Sequence, residues 1–174
     1  GKGFMLGRLF GRKTAAPVRR TSVGTDTAVY AIGDIHGRLD LLVALEAMAA
    51  DHAGGLDVAR RVLVYVGDYV DRGYKSREVI DHLVAPAPAG FERVFLRGNH
   101  EAFFLRFAES GEDGPIWFQN GGRETLMSYG VTVSASASGM EPDRLYDELR
   151  ATMPESHLAF LRGLLPMHQE GDYV

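Results

Sequence analysis

No cysteine occurs among the 174 residues. Disulfides, thiolate zinc sites and thiol nucleophiles are therefore excluded, and any metal must be held by His, Asp, Glu, Asn or water. That donor set suits manganese, iron, zinc or magnesium. No apolar run approaches the roughly 20 residues needed to span a bilayer. No internal repeat is visible. The first 25 residues contain no acid, only Lys2, Arg8, Arg12, Lys13, Arg19 and Arg20. The other 149 residues therefore carry 13 basic and 23 acidic side chains, a net of -10. A body that acidic is a poor general binder of nucleic acid. A cytoplasmic location is the default expectation for such a chain.

The length suits one domain with its own core. Phe4, Met5, Leu6, Leu9 and Phe10 interleave with the N-terminal basic residues, a pattern shared by membrane-surface anchors and targeting peptides. Gly1, Gly3, Gly7 and Gly11 weaken any helix there. Residues 1–27 read as a basic, disordered tail ahead of a domain over 28–174.

Within the domain one unit recurs three times: a short apolar run, a polar glycine-containing turn, then a helical pattern. The runs are 28–32, 61–66 and 93–96, rich in Val, Tyr, Ile and Phe as in strands buried on both faces. Helices are expected over 39–51, with Leu41, Leu42, Leu45, Met48 and Ala49 at helical spacing, over 76–84 and over 101–109. This alternation implies an α/β domain with parallel strands and crossover helices. The C-terminal third is more helical. A helix over 122–129 is stopped by Gly130, and Pro142 and Pro154 open helices over 142–152 and 154–162. The last residues, 171–174, read as the start of another strand.

Each run is followed by a polar cluster: Gly33-Asp-Ile-His-Gly37, Gly67-Asp-Tyr-Val-Asp-Arg-Gly73 and Gly98-Asn-His-Glu101. Singly, each cluster reads equally well as turn or cap chemistry. Jointly they follow three strands at intervals of 34 and 31 positions between Asp34, Asp68 and Asn99. The carboxyl ends of parallel strands converge on one crevice, which would bring Asp34, His36, Asp68, Asn99 and His100 together. The other histidines, His52, His82, His157 and His168, lie in or near helices or a polar turn and are not read as ligands. Trp117 with Phe118 reads as core or lid packing more than as a substrate platform.

These three motifs, with Trp117, Asn120-Gly-Gly122 and Ser128-Tyr-Gly130, resemble the metal-dependent serine/threonine protein phosphatases, bacterial members in particular. The resemblance implies a calcineurin-like metallophosphoesterase fold, two packed sheets flanked by helices, of which the N-terminal portion is here. It implies two divalent ions, manganese first, with iron or zinc as alternatives. Asp34 and His36 would bind the first ion, Asp68 would bridge both, and Asn99 would bind the second and face the phosphate. Arg72 would grip the phosphate, and His100, held by Asp71, would protonate the leaving oxygen. The implied reaction is direct in-line attack on a phosphoserine or phosphothreonine of a protein or peptide by hydroxide held at the metals. Without cysteine or an obvious activated serine, a phosphoenzyme is not expected.

The family pattern continues into a Val-His-Ala-Gly-like segment, a further histidine turn and a second phosphate-gripping arginine, none with a counterpart here. The domain therefore reads as C-terminally incomplete, with an apolar sheet face and an open edge left uncovered. Two alternatives stand beside the phosphatase reading: a dinucleotide polyphosphate hydrolase of the Ap4A type, and an inactive, truncated regulatory remnant. Asp71 and Glu101 favour the protein phosphatase over the former. From the ligand count, the 174-residue chain is expected to bind one metal better than two and to turn over para-nitrophenyl phosphate with manganese weakly or not at all. Calorimetric metal titration and a colorimetric assay check both expectations.

Overall fold

The computed structural model describes residues 22–133 and 141–174. The basic segment up to position 21, with its apolar residues at 4–10, lies outside the described residues. Three parallel strands, β1 (Thr27–Ile32), β2 (Arg60–Tyr65) and β3 (Glu92–Phe95), form one sheet in the order β1-β2-β3. Helix α1 (Leu39–Gly54) connects β1 to β2, and α2 (Ser76–Val84) connects β2 to β3. Helix α3 (Asn99–Ser110) starts two residues earlier than its apolar pattern suggests, so Asn99 and His100 belong to its first turn. After it come a short helix α4 (Gly114–Trp117), a π-helical turn (Phe118–Gly122), α5 (Arg123–Ser128), α6 (Pro142–Thr152) and α7 (Glu155–Gly163).

The core lies on the face of the sheet that carries Ile32, Leu63 and Tyr65, packed with Leu42, Ile80, Leu83 and the aromatic residues of α3 and α4. The expectation of strands buried on both faces holds for β2 but not for β1, where Ala31 is exposed. Val29, Ala31, Val64, Val66 and Leu96 line an open groove of about 600 Å³ on the opposite face, together with Val23 and Tyr173 and, among the described residues, without a helical one.

Helix α1 forms as expected but buries only part of its apolar pattern. Its buried stripe is Leu42, Glu46, Ala49 and Ala53, while Leu41, Leu45 and Met48 are at least 45% exposed. Glu46 can be buried because Tyr65 donates its hydroxyl to it at 2.5 Å and His82 Nε2 lies 2.6 Å from its other oxygen. A paired carboxylate thus takes a core position that the apolar pattern assigns to its neighbours. Pro154 caps α7 from outside, with extended backbone, and does not open it.

The final residues form a turn, not the start of a new strand. Glu170 and Tyr173 make an antiparallel bridge around Gly171, whose φ is +60°, and Asp172 N–H donates to Ser22 O at 3.0 Å. A Cβ at Gly171 would overlap the Ser22 carbonyl, so glycine is required for this docking.

His157 joins α7 to α2 and α5. Its Nδ1 accepts the Tyr129 hydroxyl at 2.8 Å and its Nε2 donates to Asp81 Oδ1 at 2.8 Å, so the neutral tautomer satisfies both partners. Burial pushes its pKa below the ordinary imidazole value, against the opposing pull of Asp81. The unfolded chain therefore takes up the proton first, near pH 6.5. The stabilisation is complete above that pH and is lost as pH falls through it toward the folded-state pKa. Urea midpoints should decline between pH 8 and 5, and His157→Gln should remove that part of the decline.

Candidate active site

The three loops at the carboxyl ends of the strands hold an unusual backbone. Among the described residues other than glycine, positive φ occurs at Asp34 (51°), His36 (44°), Asp68 (57°), Asp71 (72°), Arg72 (66°) and Asp113 (61°). Five of these six positions lie in the first two polar clusters. Left-handed backbone costs a non-glycine residue free energy, so its concentration here points to a functional demand.

Backbone hydrogen bonds lock the loops together. His36 N–H donates to Asp68 O and Gly37 N–H to Tyr69 O, both at 2.9 Å, joining the first loop to the second. Gly37 and Gly73 approach so closely that a Cβ on either would meet the other's backbone. The third loop reaches the second through Glu101, which is fully buried. Its carboxylate accepts from the backbone N–H groups of Asp68 (2.8 Å), Tyr69 (2.7 Å), Val70 (3.3 Å) and Gly98 (3.0 Å). Burial pushes the Glu101 carboxyl above its ordinary pKa, while the N–H groups of Asp68 and Tyr69 pull it back. A Cβ at Gly98 would overlap both Asp68 Oδ1 and Glu101 Oε2.

Within this frame His36, Asp68 and His100 place one ligand-type atom each within 4.8 Å of one another. His36 Nδ1 must donate to Val70 O at 2.8 Å, which leaves its Nε2 lone pair facing the cluster. Asp68 Oδ1 is buried and has no hydrogen-bond partner. A carboxylate with one unpaired buried oxygen, clustered with an imidazole that has a free lone pair, is a donor set that fits a divalent cation. Arg72 already directs positive charge there, with Nη1 3.0 Å from His36 Nε2 and Nη2 3.3 Å from His100 Nε2. Asp34 and Asn99 are exposed, and the Asp34 carboxylate does not join the three-residue cluster.

The His100 ring is buried and its Nδ1 lies 2.7 Å from Asp71 Oδ2. That hydrogen bond is the main cause of a pKa raised above the ordinary imidazole value, with desolvation opposing it. Asp71 has no solvent exposure and takes two further donors, Trp117 Nε1 (2.9 and 3.1 Å to its two oxygens) and Thr125 Oγ1 (2.6 Å). Arg72 also borders an open groove of about 590 Å³ shared with Phe118, Asn120, Gly121, Arg123 and Glu124. Its backbone N–H donates to Gly121 O at 3.1 Å, and a Cβ at Gly121 would overlap Arg72.

The contributions of Glu101, Thr125 and the Trp117 indole were not anticipated. For Glu101 a signal existed: it lies three residues after the cap position Gly98, where a side chain reaches back to free backbone N–H groups. The other histidines find partners elsewhere: His52 with Tyr30, His82 with Glu46, His157 with Tyr129 and Asp81, and His168 with Glu170.

Replacing Glu101 by alanine leaves its N–H partners without an acceptor. The expected loss is on the order of 3–5 kcal/mol. It would be read as a lower urea midpoint at unchanged denaturant slope.

Comparison with known proteins bears on what this arrangement is. The chain is 36% identical over 94 residues to serine/threonine-protein phosphatase 2 of Escherichia coli, covering 54% of this chain and 38% of that protein. It is 42% identical over 82 residues to serine/threonine-protein phosphatase rdgC of Drosophila melanogaster, covering 46% and 12%. The serine/threonine-protein phosphatase 4 catalytic subunit of Kluyveromyces lactis is 42% identical over 77 residues, covering 44% and 23%. The matched stretches thus span well under half the length of these relatives. Among solved structures, a point mutant of a cold-active protein tyrosine phosphatase matches with a TM-score of 0.36 at 19% identity, covering 85% of this chain and 58% of that one. The family model described as calcineurin-like phosphoesterase matches residues 27–161, from the first residue of β1 into α7 and across all three loops, and the chain belongs to that family.

Proposed function

We propose that this domain hydrolyses phosphate monoesters on serine and threonine side chains of proteins, with divalent metal ions, manganese first among them. The observation that carries the reading is one arrangement: the buried Asp71–His100 pair, with His100 Nε2 3.3 Å from the Arg72 guanidinium and His100 in one cluster with Asp68 and His36. The family and the protein phosphatases among the relatives support it.

His36 through Nε2 and Asp68 would hold a metal ion, with Asp34 completing the first position and the Asn99 amide oxygen contributing to a second. Bound there, divalent ions supply the positive charge and the activation of water that a phosphate dianion requires. The protein's own groups do the rest. Arg72 offers a planar fork to the phosphate oxygens. His100 carries a proton for the leaving oxygen, and Asp71 keeps it available by favouring the charged ring. The groove along 118–124 gives room for the peptide beside the phosphate. On that basis residues 28–174 are part of the catalytic domain, residues 1–27 an appended tail and the cytoplasm the place of action.

The full-length protein loaded with manganese should hydrolyse a phosphoserine or phosphothreonine peptide and leave diadenosine tetraphosphate intact. His100→Asn should lower kcat on the peptide by about 10²–10⁴-fold. Preference for the dinucleotide, or an unchanged kcat in the variant, would refute the reading.

A further inference from the structure

Asp71 is held far more tightly than a partner of a single histidine needs to be. Its backbone, at φ +72°, donates N–H to Thr125 Oγ1 at 2.9 Å and to Ser76 Oγ at 3.1 Å. The Thr125 hydroxyl returns its own proton to Asp71 Oδ1 at 2.6 Å. One hydroxyl therefore contacts both ends of the same residue and fixes its side-chain torsions. The Trp117 indole N–H straddles the two carboxylate oxygens, and His100 takes Oδ2.

The indole is itself immobilised. Its ring stacks on Phe104 at 5.2 Å between centroids and meets Phe107 at 5.0 Å. Gly122 lies against it so closely that a Cβ there would overlap the ring. Trp117, Phe104, Phe107, Asp71 and Thr125 are all without solvent exposure, so no water can substitute for a lost donor.

We propose that Trp117 and Thr125 are positioning residues for the Asp71–His100 pair, fixing the carboxylate plane so that His100 presents its Nε2 proton to the leaving oxygen of an alkyl phosphate. The inference rests on the phosphomonoesterase reading above. As an attacking hydroxide oxygen bonds to phosphorus, the ester P–O bond breaks, its electron pair stays on the leaving oxygen, which takes the Nε2 proton, and His100 is left neutral until solvent reprotonates it. A serine or threonine alkoxide is a far stronger base than nitrophenolate, so the proton donor matters more for phosphoserine than for para-nitrophenyl phosphate. Losing one donor lets the carboxylate turn and misaligns the ring. The damage falls on the ester that needs the proton.

The test uses the full-length, manganese-loaded protein with Trp117→Phe, which keeps a ring without the N–H, and Thr125→Val, which keeps the shape without the hydroxyl. Expected on a phosphoserine peptide is a fall in kcat of about 10–100-fold at little change in KM, with a much smaller fall on para-nitrophenyl phosphate. Thr125→Ser should restore the wild-type ratio between the two esters. Equal losses on both, or none, would overturn the proposal, and Thr125→Val carries the test if Trp117→Phe fails to fold.

A second readout needs no turnover. Trp117 is the sole tryptophan of the sequence, so its indole N–H gives one assignable resonance in a ¹H–¹⁵N spectrum of the chain. That resonance should exchange slowly and should shift in Thr125→Val and in Asp71→Asn. Failure of the wild-type protein to hydrolyse either ester would remove the phosphatase reading. The positioning claim is then decided by this resonance, and its indifference to both substitutions would sink it.

Discussion

Glu101 sits in the first turn of α3 with no solvent exposure, and its two oxygens receive backbone N–H groups from Gly98, Asp68, Tyr69 and Val70. The physical need for it comes from the second loop. A left-handed residue such as Asp68 turns successive N–H groups toward one point, where no strand ladder can accept them, and such a nest attracts an anion. A carboxylate supplied by the next strand–helix unit fills the nest. It thereby fixes the second loop against the third, while the first loop is held to the second by backbone bonds from His36 and Gly37. The Asp68 side chain, the Val70 carbonyl that orients His36, and the turn that buries Asp71 all depend on that one charge.

The second buried anion, Asp71, is treated differently. Glu101 is surrounded by backbone and serves geometry. Asp71 is surrounded by side chains from three other segments: His100 in α3, Trp117 in α4 and Thr125 in α5. Those partners tie the C-terminal helices to the site and explain why the π-helical turn ends in two glycines. Gly121 must clear Arg72 and Gly122 must clear the indole, so the chain passes from α4 to α5 only where no Cβ intervenes. Fold and site share the same contacts here, and loosening the aromatic cluster would be felt at His100.

Much of this was legible because the site is built on backbone that few residues adopt. Asp and Gly at the ends of β-rich runs mark turns that leave the strand abruptly, and the loops over 33–37 and 67–73 and the cap of α3 at Gly98 lie where those letters fall. The parallel sheet and its crossovers followed from the same alternation. The buried face of α1 is not legible from apolar spacing alone, because Glu46, satisfied by Tyr65 and His82, occupies the stripe beside Leu42 and Ala49. The turn at 171–174 was misread because its shape depends on Ser22, 150 residues away in sequence. Thr125 carried no signal at all, since its role is defined by a hydrogen bond across 54 positions.

Trp117 shows that filling the core and serving the site are not exclusive. The choice between core packing and a platform for substrate assumed that one side chain has one role. The ring is core by every measure, stacked on Phe104 and shut off from solvent. Its single polar atom is nonetheless aimed at the carboxylate that governs His100. A buried indole must place its N–H on some acceptor. When that acceptor is a buried carboxylate, packing of the ring also fixes the orientation of that carboxylate. Phenylalanine would fill the same space and leave the Asp71 oxygens one donor short. The volume of the core is therefore specified by hydrophobicity, and the identity of this one residue by the site.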